Sequence, residues 1–134
     1  MSKFQHAALN AIDDKPIVYT AMSKHLFYYR MHISKYVIEQ GFVPLNPFML
    51  FDYSLLDMVD RNLILQCNNN LVKKSDELWV FGSISNGVFA EIKIAQKTGK
   101  PIKFFEIQRP HKIVPSSKEM VAMEPDMEVF KAEL

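Results

Sequence analysis

Glu91 is the residue whose type and position most need a chemical explanation. In the stretch "SISNGVFAEIKIAQKTGKPI", Ser83 to Ile102, Lys93, Gln96, Lys97 and Lys100 keep the spacing of a solvated helical stripe, while Val88, Ile92 and Ala95 keep that of a buried one. At about 100° per residue, Glu91 points roughly 160° away from Lys93 and so onto the apolar side. A carboxylate there is costly unless it reaches water at the edge of that face or has a task. One fitting task is attack on, or electrostatic support of, a carbon that becomes cationic, because a glycosidic transition state is oxocarbenium-like.

Just before this helix lies "GSISNG", Gly82 to Gly87. Its small residues could turn backbone N–H groups and the Ser83 and Ser85 hydroxyls toward an anion at the helix start. The plainer reading is a helix cap made by Ser85 or Asn86. Neither a Walker A sequence nor a dinucleotide fingerprint occurs, which argues against a nucleotide triphosphatase and a nicotinamide dehydrogenase. His6, His25, His32 and His111 show no short paired spacing, so no metal and no cofactor are expected. Cys67 lacks a partner signature and reads as a packed thiol. Asp76, between a helix and a strand, reads as a maker of turn hydrogen bonds.

The chain has 134 residues, is 49% hydrophobic and 23% charged, and therefore suits a single domain with a real core. Sixteen basic and 15 acidic residues leave a formal net charge of +1, which gives none of the basic field that nucleic-acid binding needs. One cysteine excludes an internal disulfide, no apolar run is long enough for a membrane span, and "MSKFQHAALNAIDDKP" lacks the apolar core of a secretory signal. A cytoplasmic protein without nucleic-acid or membrane partners is the expectation.

The elements that must position these residues are readable in outline. Pro16 introduces "IVYTA", a buried strand, and about Phe27 to Gln40 reads as a helix closed by Gly41. "FVPLN" is a short strand weakened by Pro44, and "PFMLFDYSLLDM" is a Met- and Phe-rich connection. Val59 to Lys74 reads as a helix, "ELWVFG" as the clearest strand, and "IKFFEI" as another after the Glu91 helix. Strands alternating with helices predict an α/β fold, with a mostly parallel sheet and helices on both faces. Ligands in such folds collect at the carboxyl ends of the strands, which puts Ser23, the Gly82 to Gly87 loop and the start of the Glu91 helix on one rim. The part after Arg109 is less patterned, and "MEPDMEVFKAEL" reads as an acidic, loosely held tail.

"VYTAMS" at the first strand, "SDELWVFG" at the later strand, and Ser-x-Gly-x-x-x-Glu at Ser85, Gly87 and Glu91 together resemble the nucleoside 2-deoxyribosyltransferase-like superfamily and its nucleotide N-glycosidase branch. The resemblance runs from about Ile17 to Ile107. It implies a single flavodoxin- or Rossmann-like doubly wound domain over residues 1–134, with four to five strands, a core at about 16–108 and a C-terminal extension at 109–134. It also implies that Glu91 attacks or stabilises the anomeric carbon, with Tyr19 near that carboxylate and the sugar. Ser23, Ser85 and Gly87 would hold a substrate phosphate, and Lys24 or His25 could add positive charge.

Ser85 carries the substrate expectation. Members acting on free nucleosides tend to have a carboxylate at that position, whereas a serine beside glycine goes with 5′-monophosphates, because a second negative charge would repel the phosphate. Two departures stand out. Asn68, within "CNNN", occupies the place of an aspartate that assists proton transfer, and asparagine has no carboxyl proton to give. Met22, Lys24 and His25 stand where relatives are richer in glycine. The resemblance further implies a homodimer or larger homo-oligomer, with Ser117 in the position of a serine lent to a neighbouring subunit. The resulting expectation is an N-glycosidase that hydrolyses a nucleoside 5′-monophosphate to free base and (deoxy)ribose 5-phosphate. The alternatives are a (deoxy)ribosyltransferase and a non-catalytic nucleotide sensor.

Overall fold

The computed structural model describes residues 3–134. Five strands form one sheet: β1 (Ile17–Met22), β2 (Val43–Leu45), β3 (Glu77–Phe81), β4 (Ile102–Gln108) and β5 (Lys112–Pro115), in the order β2-β1-β3-β4-β5. β1 pairs in parallel with both β2 and β3, β3 pairs in parallel with β4, and β5 runs antiparallel to β4. This is the mostly parallel α/β layout anticipated from the sequence. Pro44 is tolerated because β2 is an edge strand, where a missing N–H leaves no ladder bond unmade.

Alternation along the strands sends neighbouring side chains to opposite faces. Val18, Met22, Trp79, Phe81 and Phe105 pack with Ile33 and Val37 of α1 (Arg30–Glu39). Tyr19, Ala21, Leu78 and Val80 pack on the other face, with Val72 of a long helix and Val88, Ile92 and Ala95 of the helix that carries Glu91. Between β2 and that long helix, the Met- and Phe-rich connection forms two short turns, α2 (Pro47–Leu50) and α3 (Tyr53–Leu56), capped by Asn46 and Asp52. The long helix is α4 (Arg61–Lys74), begun by the Asp60 cap, and the last is α5 (Asn86–Lys97). Helices thus cover both faces.

Three segments differ from the sequence reading, the first being β5, a strand in the part after Arg109 that read as less patterned. The helix expected from about Phe27 starts later, and Lys24–Tyr29 winds as a 3-10 helix. The run Phe27, Tyr28, Tyr29 has weak helix propensity. Arg30 folds back over it, its guanidinium 3.9 Å from the Phe27 ring centroid and donating to the Phe27 carbonyl at 3.0 Å. The tail is also held more firmly than its composition suggests. Ile84 bridges Met123, and Val121, Met123 and Met127 are buried in the α4 and α5 core. Further along, Phe130 lies against Phe89, Leu134 packs on the same core and Glu133 pairs with Lys93 at 2.8 Å. The segment then turns as a 3-10 helix, Pro125–Glu133.

Candidate active site

β1 lies at the switch point of the sheet, with β2 on one side and β3 on the other, so the crevice at its carboxyl end is the natural ligand site. Tyr19 reaches from the middle of β1 toward the α4 and α5 layer. Asn68 lies one helical turn before Val72 and shares its inward face, and Glu91 lies one turn before Ala95 on α5. Three elements distant in sequence therefore converge on one carboxylate. The Tyr19 hydroxyl and Asn68 Nδ2 both donate to Glu91 Oε2, the latter at 3.3 Å. Among the described residues no hydrogen bond reaches Oε1, which leaves that oxygen available to chemistry.

Glu91 is half-buried as a residue, but its carboxyl group is well shielded from water. Burial raises its pKa to about 7, and the Tyr19 hydrogen bond opposes that rise by favouring the anion. Tyr19 is fully buried, and burial together with the Glu91 charge pushes its pKa far up, so it remains a phenol donor. Asn68 must turn its NH₂ toward the acceptor carboxylate, which fixes its amide orientation. Its Oδ1 then faces away from Glu91, buried and without a hydrogen-bond partner. A buried acceptor left so is costly unless a donor comes to it.

Of the second group of predicted residues, Ser23 and His25 line a cleft at the rim, while Ser85 and Gly87 stand outside it at the start of α5. Ser23 is buried at the end of β1 and caps the following 3-10 helix, where the His25 N–H donates to Ser23 Oγ at 3.3 Å. Ser23, His25, Leu26, Ser83, Glu124 and Pro125 line a cleft of about 320 Å³. Ser85 acts as the cap of α5, its Oγ accepting from the Val88 N–H at 3.3 Å. Its own hydrogen remains free to donate elsewhere. Gly87 has open space where a Cβ would stand, whereas Gly82 needs glycine: its φ is +75°, and a Cβ would come within 2.5 Å of Leu26 Cδ1.

Glu124 is the residue that sequence reading missed. It lies in the presumed tail, yet the Ser23 hydroxyl donates to its Oε2 at 2.8 Å. The sole sequence signal was the hydrophobic pair Met123 and Met127 flanking it, whose burial fixes the segment. Ser117 lies elsewhere, lining a groove with Trp79 and Phe105 of the α1-side core. Within this chain it does not join the residues around Glu91. Asp76 is structural as read, but not through a turn: its Oδ2 accepts from the N–H of Ile17, at the start of β1, at 2.7 Å. Among the described residues no group of three or more His, Cys, Asp or Glu could hold a metal ion, and no helix is long and apolar enough to cross a membrane.

The likeness to nucleoside deoxyribosyltransferases extends to the fold. The chain is similar to a 2-desoxiribosyltransferase from Leishmania mexicana, with a TM-score of 0.53 at 18% identity over 69% of this chain and 65% of that one. It thus spans about two thirds of that enzyme's length. It is also similar to a CMP N-glycosidase, BcmB, from Clostridium botulinum, with a TM-score of 0.49 at 18% identity over 70% of this chain and 71% of the other. No curated protein matches the chain. The model of one family, described as a domain of unknown function (DUF7768), matches residues 18–105, and the chain belongs to that family.

Proposed function

We propose that the protein cleaves the N-glycosidic bond of a nucleoside or its 5′-monophosphate, releasing the free base. The observation that carries this reading is the buried Glu91 carboxylate, held on one oxygen by Tyr19 and Asn68 with the other unengaged. Oε1 attacks the anomeric carbon, or supports its positive charge, as the carbon–nitrogen bond breaks and the base leaves with the electron pair. Water then bonds to that carbon, displacing Glu91 Oε1 where an ester has formed, and the proton it sheds balances the one the base takes up. Asn68 cannot supply the proton the base needs, so that proton comes from solvent. Asn68 instead holds the Glu91 carboxylate in place through Nδ2.

Ser85 and Gly87 suit a 5′-monophosphate, the substrate expected from the sequence. Glu124 in the cleft suits the free nucleoside. The fold shared with a deoxyribosyltransferase favours a second reading, transfer of the sugar to another base, since the same carbon is reached by base or by water. A homo-oligomer with Ser117 lent to a neighbour belongs to this proposal as well.

The test is incubation of wild type and Glu91→Ala with ribo- and deoxyribonucleosides and the matching 5′-monophosphates, following free base by chromatography. Base release that disappears in the variant is expected. Equal rates in both proteins would remove Glu91 from the chemistry. Added second base that becomes glycosylated would identify transfer.

A further inference from the structure

We infer that Glu124 sets what the substrate carries at the sugar end remote from the base, admitting a neutral hydroxyl and disfavouring a phosphate. This rests on the reading of Glu91 as the group at the anomeric carbon and adds the substrate class.

The placement follows from the fold. Ser23 is four residues beyond Tyr19 and one past the end of β1, so that by strand alternation it falls on the same sheet face, about 13 Å further along. Ser85, at the start of α5, is six residues from Glu91, about 9 Å along the helix axis, and helical side chains lean toward the helix amino terminus, which shortens the gap. The cleft thus lies beyond the Glu91 group on the same side of the sheet, toward the amino end of α5, the direction in which the far substituent of a sugar held at Glu91 would point. The cleft wall is made of hydroxyls, an imidazole, a carboxylate and two small apolar surfaces, with no phenyl, phenol or indole ring among its six residues. It is a poor seat for a planar base and a good one for a polar substituent.

Glu124 then decides the charge of that substituent. Ser23 is 2% exposed, and the hydroxyl it would offer a phosphate is already given to Glu124 at 2.8 Å. The carboxylate is built into the wall. The Ile84 N–H donates to the Ala122 carbonyl and the Glu124 N–H to the Ile84 carbonyl, both at 2.9 Å, while Met123 and Met127 are buried on either side. A backbone pinned on both sides leaves only side-chain rotation to move the charge away. Of the six lining residues, His25 alone could offset a phosphate, and no lysine or arginine is among them. Phosphate sites depend on charge-assisted donors, so a fixed carboxylate with one imidazole opposite favours a 5′-hydroxyl, which can donate to Glu124 and accept from His25.

The experiment compares wild type with Glu124→Gln, which keeps shape and acceptor capacity but removes the charge. Two quantities are read: the ratio of kcat/KM for nucleosides to that for the matching 5′-monophosphates, and the Kd of ribose 5-phosphate by calorimetry. Wild type is expected to prefer nucleosides at least tenfold, and Glu124→Gln to lower that ratio about tenfold and to bind ribose 5-phosphate about tenfold more tightly. Wild-type preference for monophosphates would overturn the inference, as would a variant whose ratio and ribose 5-phosphate affinity stay within twofold of wild type or show no binding. If wild type releases no base from any substrate, calorimetry alone decides. Tighter ribose 5-phosphate binding then upholds the role of Glu124 while the glycosidase reading fails, and no tightening removes both. Thermal melting checks that the variant folds, and Glu124→Ala replaces it if it does not.

Discussion

The two faces of the sheet take alternate residues from the same strands and use them for opposite ends. On the α1 face, Phe105 lies against both Trp79 and Phe81, with ring centroids 4.9 and 5.0 Å apart. On the α4 and α5 face, a tyrosine, an asparagine and a glutamate interrupt an otherwise apolar core. One face gains its stability chiefly from burial, with polar contacts such as Trp79 Nε1 donating to Glu77 Oε1 at 3.0 Å only at its edge. The other accepts a buried carboxyl group whose pKa is raised to about 7, at a cost in stability at neutral pH. Damage to the first face should therefore be structural and insensitive to pH, and damage to the second should be chemical and pH-dependent.

The largest contrast comes from Glu91→Ala set against Trp79→Ala. Loss of the carboxylate is expected to reduce base release about 10³-fold, in the range seen when a reacting or charge-stabilising group is removed, while the fold persists. Trp79→Ala should cost about 3 to 5 kcal/mol of stability by leaving a large cavity. Denaturant titration at pH 5 and pH 8 should give nearly the same loss. A pH-dependent loss at Trp79, or an unchanged rate in Glu91→Ala, would dissolve the distinction between the faces.

The pH dependence of stability comes next. The Glu91 carboxyl group has its pKa raised from 4.5 to about 7 on folding, so the folded state holds a proton that the unfolded chain releases. Its contribution to stability is complete below pH 4.5, declines between pH 4.5 and 7, and is absent above 7. At most this amounts to roughly 3 kcal/mol. Glu91→Gln should therefore flatten the fall in stability between pH 5 and 8 seen in wild type. Parallel stability curves for the two proteins would show that the carboxyl group is better hydrated than its surroundings imply.

These residues also show how far sequence reaches. Glu91 was legible because helical geometry is regular: a carboxylate opposite Lys93 must share the side of Val88, Ile92 and Ala95. Tyr19 and Asn68 were named by resemblance, and their meeting at a single oxygen is a matter of tertiary packing. Glu124 was not legible as a site residue, since it is one of several acids in its segment and its docking depends on Val121, Met123 and Met127 filling space that other elements create. β5 escaped for a related reason. It is a four-residue strand whose pairing with β4 is decided by the turn between them. Periodic segments declare themselves, whereas short segments held by distant partners do not.

Tyr19→Phe should have a smaller effect and a diagnostic one. The hydroxyl favours ionised Glu91, so its removal raises the carboxyl pKa further. If attack requires the anion, wild-type activity rises with pH through about 7 and levels above it. The variant should lose about tenfold at pH 7 and recover as pH increases, with its rising limb displaced upward. A uniform loss at all pH values would instead assign Tyr19 to positioning the sugar.

Ser85→Ala should give the smallest effect, and it separates two roles of one hydroxyl. As the α5 cap, Ser85 accepts from Val88, and its loss should cost about 1 kcal/mol of stability. Asp60→Ala, which removes the α4 cap far from Glu91 in the chain, provides the comparison and should cost a similar amount. If the Ser85 hydrogen also meets substrate, its variant should in addition raise KM severalfold with kcat unchanged, and Asp60→Ala should leave both constants alone. Equal kinetics in the two variants would reduce Ser85 to a cap and leave the recognition of the sugar's far end to Ser23, His25 and Glu124.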